Sequence, residues 1–305
     1  LQADHPDPRG HNLRILGRAL SMLATDPEPF FQGRWAAFLD FCCIHQNCRD
    51  REGVPQRHTY QRLEDSGALE EDAIGRFERE QALFKEALGS LGLFYSHPNT
   101  VVFMLTRFPD DYDDPARYTR SGNTEPYFHR GWCFCESSWS MLAKSSLRLV
   151  DLGRSTGVET CFFGSFGRAD SVVATCAAGR RAPLLPDAFE SELQSKGFTN
   201  GKDDRPRVAE LYRAAFAKRL EAAQQLAYSD LEWGDEEAQQ LAAVLSSGAA
   251  PLLLDLSLDN NRVGDEGAAR LAELLRDPGA LPRLEELNLA VNLVGDEGAA
   301  RLAEA

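Results

Sequence analysis

A ten-residue string occurs twice, letter for letter, near the end of the chain. Gly264-Asp-Glu-Gly-Ala-Ala-Arg-Leu-Ala-Glu273 returns as residues 295–304, and a looser copy, Gly234-Asp-Glu-Glu-Ala-Gln-Gln-Leu-Ala-Ala243, precedes both. The copies start 30 and 31 residues apart. A fixed period of this length marks one supersecondary unit that cannot bury its apolar face alone and stacks on copies of itself. Ahead of the two good copies stand Leu253, Leu256, Leu258, Asn261 and Leu284, Leu287, Leu289, Asn292. Alternating leucines predict a short strand with one face inward. The Asn amide is expected to satisfy backbone groups in the turn behind it. Asp265-Glu266 and Asp296-Glu297 are expected at helix N-termini, where acids favour the macrodipole.

The L-x-x-L-x-L-x-x-N pattern, with its long period and alternating strand and helix, resembles the ribonuclease-inhibitor class of leucine-rich repeats. The resemblance implies a small α/β solenoid over residues 229–305 whose strand face recognises a protein partner. Asp255, Ser257, Asp259, Glu286 and Asn288 would lie on that face, which suits a basic partner as well as it suits a solvated acidic surface. In the first copy Leu231 takes the Asn position and Tyr228 a Leu position. That copy is expected to be a cap packed on the helices before it. The third unit stops soon after its helix begins and the chain opens on Leu1, so the sequence is expected to be an excerpt of a longer chain.

Residues 1–182 read as a separate α/β domain. The spacing predicts a short helix over Leu13–Leu23 and a longer one over Ala73–Tyr95. Continuous apolar runs at Trp35–Asp40 and Val101–Thr106 suit strands buried on both faces. A polar loop over 108–126 leads to Tyr127-Phe-His-Arg-Gly-Trp-Cys-Phe-Cys-Glu136 and a helix from about Trp132 to Lys144. Leu147–Leu152, Glu159–Phe163 and Ser171–Thr175 are further candidate strands. The alternation points to a largely parallel sheet. Residues 183–228 carry two helical patterns and read as a short helical connector.

Asp40-Phe-Cys-Cys-Ile-His-Gln46 resembles the D-x-x-C-I-[N/D]-Q signature of the fungal heterokaryon-incompatibility domain, with His45 in place of the usual Asn. Arg130-Gly-Trp-Cys-Phe-Cys-Glu136 resembles that family's R-x-W-x-x-x-E segment and the W-C-x-x-E segment of plant Toll/interleukin-receptor (TIR) domains. The resemblance covers about fifteen residues in letters and residues 1–180 in layout. It implies a flavodoxin-like parallel sheet, part of which is expected to lie ahead of residue 1. It also implies signalling by self-association, or, as in NAD-cleaving members, hydrolysis of the nicotinamide–ribose bond. On that second reading NAD is a substrate, no cofactor is required, and Glu136 is the key carboxylate, stabilising oxocarbenium character on the ribose. Asp40, Thr106, Arg107 and Trp132 would line the same crevice beyond the strand ends. Each has a plainer reading: Glu136 in a first helical turn favouring the dipole, Asp40 capping a turn, Trp132 in the core.

A net charge of −14 argues against nucleic-acid binding and against an anionic membrane surface. No apolar run is long enough to cross a bilayer. The seven cysteines are odd in number, and Cys43, His45 and Cys48 match no common zinc spacing. Core thiols in a reducing, cytoplasmic setting are expected, with no metal.

Overall fold

Two short parallel strands, β1 (Val102–Met104) and β2 (Leu149–Asp151), pair with Val102 opposite Leu149 and Met104 opposite Asp151. Parallel neighbours need a long crossover, and this one contains the helix α2 (Gly131–Met141). The structure, a computed structural model, describes residues 10–25, 36, 82, 86, 89–108, 125–162, 170–177, 179–198 and 201–305. The chain divides into two compact units, Leu1–Pro29 with Gly92–Ala305, and Phe30–Leu91. In the second, the described residues 82, 86 and 89–91 are helical, and the Ser90 hydroxyl donates to the Glu86 carbonyl. They fall within the helix expected over Ala73–Tyr95. Of the strand expected at Trp35–Asp40 only residue 36 is described, and it has no regular secondary structure; the heterokaryon-like segment Asp40–Gln46 lies outside the described residues.

In the first unit, α1 (His11–Thr25) matches the amphipathic stretch at Leu13–Leu23 and buries Leu16 and Ala19. Around the β1–β2 pair, Met104, Met141 and Leu149 form a core against Val102, Tyr127 and Phe128. The helix α2 is buried on most of its faces, with Phe134, Cys135 and Trp139 at 1%, 0% and 0% exposure. Polar groups at such depth need local partners. Ser137 and Ser138 donate to the Phe134 carbonyl, and Ser140 donates to that of Glu136. Phe134 stacks on Phe189 of α4 (Pro186–Leu193), which stacks on Tyr212 of α5 (Gly201–Glu221) at 3.8 Å between ring centroids.

Two expected strands are not strands. Residues 159–163, as far as they are described, make one isolated bridge, Cys161 with Ser171. Ser171–Thr175 is the start of a helix, α3 (Val172–Cys176). The β-branched pair Val172-Val173 favours a strand, but the Ser171 hydroxyl accepts the Ala174 N–H and caps a helix instead.

The repeated strings build a second sheet. β3 (Gln225–Ala227), β4 (Asp255–Ser257) and β5 (Glu286–Asn288) lie parallel, with Leu226, Leu256 and Leu287 in one row. Each strand is followed by a helix: α6 (Asp235–Ser246), α7 (Asp265–Arg276) and α8 (Asp296–Ala303). The first strand lies inside the stretch read as connector, because the pairing carries the period back to residue 225. The whole is a mixed α/β structure with short parallel sheets.

The aspartates that open the helices do more than favour their own dipoles. Asp235 Oδ1 accepts the N–H groups of Gly264 and Gly267, at 2.7 and 2.9 Å, and Asp265 does the same for Gly295 and Gly298. Each carboxylate therefore caps the next helix. This fixes the second glycine of Gly-Asp-Glu-Gly: a Cβ on Gly267 would stand 2.7 Å from Asp235 Oδ1 and 2.8 Å from Val263 Cγ1. Among the described residues no carboxylate from a preceding turn caps α6, and Glu237 of its own first turn accepts the Gly234 N–H instead. Gly267→Ala is expected to cost about 2 kcal/mol in chemical denaturation, by overpacking and by displacing the cap. Glu237→Ala, which removes one half-exposed bond, is expected to cost less than about 1 kcal/mol.

The first copy's departures from the repeat are the groups that bind it to residues 142 and 180–183. Trp233, a valine in the other copies, donates from Nε1 to the Arg180 carbonyl. Tyr228, a leucine in the other copies, donates from its hydroxyl to the Leu142 carbonyl at 2.6 Å, with the Arg180 guanidinium 5.2 Å from its ring. Gln240, an arginine in the others, donates to the carbonyls of Ala182 and Pro183. Trp233, Tyr228 and Leu231 are all buried. The first copy thus docks on residues 142 and 180–183, which lie outside the helices it was expected to pack on.

Beside this junction Lys144 is fully buried. Its ammonium donates to the carbonyls of His97 and Thr100 and to the Thr100 hydroxyl, closing the end of the helical residues 92–96. Burial, and after it the positive charges of Arg180, Arg148 and Arg219, lower its pKa to about 7.

Candidate functional site

The carboxyl ends of β1 and β2 are where an open parallel sheet places a ligand. Thr106 and Arg107 follow β1, and Asp151 to Gly153 end β2. The Thr106 hydroxyl donates to Asp151 Oδ1 at 2.6 Å, and the Gly153 N–H donates to the same oxygen at 2.9 Å. A Cβ on Gly153 would lie 2.1 Å from Thr106 Oγ1, so a glycine is required where the two strand ends close. Burial raises the pKa of Asp151 despite these bonds. Thr106 is therefore held in a clasp between strands.

Next to the clasp is a cavity of about 240 Å³. One side of α1 roofs it with Ile15, Ala19 and Met22, facing Leu152, Gly153 and Val172. His11, Arg18, Arg107 and Glu159 supply its charged and titratable groups. Sequence reasoning passed over Glu159, which is 4% exposed. Its carboxylate accepts the Ser155 hydroxyl, the Thr156 N–H and hydroxyl, and the Gly157 N–H. Arg18 Nη1 lies 3.8 Å from it, and Arg18 Nη2 donates to the Glu159 carbonyl. Burial acts to raise the Glu159 pKa, but the hydrogen bonds outweigh it and the carboxyl titrates below its usual range. The signal was present in Ser155-Thr156-Gly157-x-Glu159, small hydroxyl donors wrapped around an acid two to four residues on.

Of the residues expected in one crevice, Arg107 lines this cavity among the described residues; Glu136 and Trp132 do not. Glu136 is half-buried in the second turn of α2, because Gly131, whose N–H is held by the Gly197 carbonyl, already starts the helix. The first-turn placement expected for Glu136 is corrected accordingly. Its charge is felt by Tyr127, whose pKa burial, Glu136 and Cys133 push well up, and by buried Cys135. The Trp132 indole is half-buried and donates to Asp204 of α5 at 3.3 Å. The Arg130 guanidinium lies over the rings of Tyr127 and Phe108. Asp40 lies outside the described residues. Cys133, Cys135, Cys161 and Cys176 are thiols outside any disulfide, and among the described residues no three acids, histidines or cysteines cluster as a metal site would require.

The outer row of the second sheet is a separate candidate. Gln225, Asp255 and Glu286 are in register across β3, β4 and β5, with Ala227, Ser257 and Asn288 in the row beside them. Strand alternation puts both rows opposite the leucines, of which Leu226 and Leu256 are 1% exposed. Asp259 is drawn inward: its carboxylate accepts the hydroxyls of Ser229 and Ser257, which together outweigh burial and hold its pKa low. Asn288 Oδ1 accepts the Ala290 N–H. Asp255 and Glu286 make no side-chain hydrogen bond or ion pair among the described residues, and they present two adjacent carboxylates on neighbouring strands.

Comparison with family models, curated proteins and solved structures finds no match. Among the described residues no helix is long and apolar enough to cross a membrane.

Proposed function

We propose that the chain is a signalling or protein-interaction protein, in which a TIR/heterokaryon-incompatibility-like α/β domain carries a leucine-rich-repeat surface that binds a basic segment of a partner protein. The observation that carries this reading is the Gln225–Asp255–Glu286 row: polar, in register, and without internal partners for its two carboxylates among the described residues, on a sheet whose other face is packed with leucine. The docking of Tyr228, Trp233 and Gln240 supports it further, since a partner held on the strands would be held by the α/β domain too.

Charge reversal tests the proposal. Partners captured by the whole chain through chemical cross-linking at low salt should be lost from the Asp255→Lys/Glu286→Lys double variant, which should melt within about 2 °C of the parent because surface substitutions cost little. Their binding should weaken as salt rises. Equal capture by both proteins would sink the proposal.

NAD cleavage by Glu136 gains no support from the cavity, which Glu136 does not line. On the interaction reading, the purified chain incubated with NAD releases no nicotinamide above a blank. Release that disappears in Glu136→Ala would establish the hydrolase reading instead.

A further inference from the structure

We propose that Lys144 and Arg180 form a proton-operated latch beneath the first repeat: a proton taken up by Lys144 expels the Arg180 side chain from behind Tyr228 and loosens the strap 179–183 on which Trp233 and Gln240 are seated. The proposal is independent of the partner surface. It starts from two cations shut away together. Lys144 is 0% and Arg180 4% exposed. Both are fixed to one stretch of chain, since Arg180 Nη2 donates at 2.8 Å to the carbonyl of Met141, just ahead of Lys144. A buried charge is tolerated when a counter-charge and a full set of hydrogen bonds accompany it. Among the described residues neither cation has a carboxylate partner. Lys144 donates to the His97 and Thr100 carbonyls and to the Thr100 hydroxyl. Arg180 is worse placed. Its Nε and Nη1 are buried with no hydrogen-bond partner, and the Tyr228 ring adds a cation–π contact at 5.2 Å.

The surroundings make the pair respond to protons. The charged groups that bear on Lys144 are Arg180 of the strap, Arg148 ahead of β2 and Arg219 of α5, all positive. His97 faces it from residues 92–100 and titrates below 6.5. Lys144, with a pKa lowered by burial to about 7, can shed its charge, whereas Arg180, lowered by burial to about 10, keeps it. Protonation of Lys144 therefore sets a second buried positive charge beside one that cannot titrate away. Relief comes from moving into water. Arg180 gains more by moving than Lys144 does, because it gives up one hydrogen bond and solvates two bare N–H groups. The strap gives it a route. Gly179, at φ +75°, opens the strap and is tied to the first repeat by a long bond, its N–H to the Leu231 carbonyl at 3.4 Å. When Arg180 turns outward, its carbonyl leaves the Trp233 indole.

The test uses the whole chain with isotope-labelled tryptophan, the Trp233 indole signal being assigned from Trp233→Phe. Hydrogen exchange of that indole N–H is followed by NMR, each rate being scaled to that of free indole at the same pH. In the parent the scaled rate should rise about three- to tenfold from pH 8 to pH 6, the response of an opening that gains up to one proton. At both pH values it should exceed the rate of the β4 amides, which need a deeper opening. In Lys144→Met and in Arg180→Met the scaled rate should stay level, although Arg180→Met keeps the Lys144 titration. Should one variant fail to fold, the other and the parent still decide. A parent rate that is level across this range, a Trp233 rate that only follows the β4 amides, or an equal rise in either variant each overturns the proposal.

Discussion

Replacing Asn261 by alanine is expected to destabilise the chain by about 4 kcal/mol, the largest effect of any single substitution in the repeats. Asn261 is 7% exposed and joins two units. Its Oδ1 accepts the N–H groups of Leu231 and Trp233, each at 3.0 Å, from the preceding turn. Its Nδ2 donates to the carbonyls of Tyr228, Leu258 and Asp259. Removing the amide leaves two buried N–H groups without partners. An orphaned buried donor costs about 1–3 kcal/mol, more than the roughly 1 kcal/mol net value of a typical bond. Asn292 holds the same place one unit on, accepting from Val263 and donating to Leu258, Leu289 and Ala290, but it is less deeply buried. Asn292→Ala should therefore cost only about half as much, because water can replace the lost partners. Equilibrium urea unfolding of both variants measures the contrast, and equal losses would remove Asn261 from its central place.

The second large effect is a pH dependence that belongs to Lys144. Its folded pKa of about 7 lies far below that of an unfolded lysine, about 10.4. Between these values the unfolded chain holds one proton more than the folded one, so stability rises with pH, at about 1.4 kcal/mol per unit when fully developed. Below pH 7 the buried ammonium is charged in both states, and its whole desolvation penalty weighs on the fold. Other groups act at the edges of this window. His97, lowered by burial and then by Arg219, Lys144 and Arg148, acts below its ordinary value of 6.5. Cys135 and Cys176, both raised by burial, oppose the trend above pH 9. Stability measured from pH 7.5 to 8.5 should rise by about 1 kcal/mol more in the parent than in Lys144→Met. Parallel pH profiles would mean that burial does not lower the Lys144 pKa.

The repeats were legible because their energetics are local and recur. The leucine row, the aspartate that opens each helix and the asparagines 261 and 292 recur at 30 or 31 residues, and Asp235, Asp265, Asn261 and Asn292 each find partners about one period away. The loose first copy was read as a cap from Tyr228 and Leu231 alone. Its docking partners, the Arg180, Ala182 and Leu142 carbonyls, carry no side-chain signature and could not be found in letters. The α/β half was less legible for the same reason. Val172-Val173 was read by propensity, and one serine hydroxyl on a backbone N–H decided otherwise. Glu159 was read as the start of a strand, yet it folds a loop around itself. Lys144 looked like the charged end of a helix, and only the tertiary approach of the chain at His97 and Thr100 makes it a buried cap. Asp255 and Asp259, two strand-face acids alike in sequence, part company because only Asp259 meets the hydroxyls of Ser229 and Ser257.

Carboxyl footprinting of the whole chain with its cross-linked partner tests the proposed recognition face most directly. Carbodiimide labelling of Asp255 and Glu286 should fall when partner is bound, while Glu297 and Glu304, on α8 and just beyond it, keep their labelling. Unchanged labelling at Asp255 and Glu286, with protection moving to α8 or to residues 131–141, would contradict recognition by the strand face.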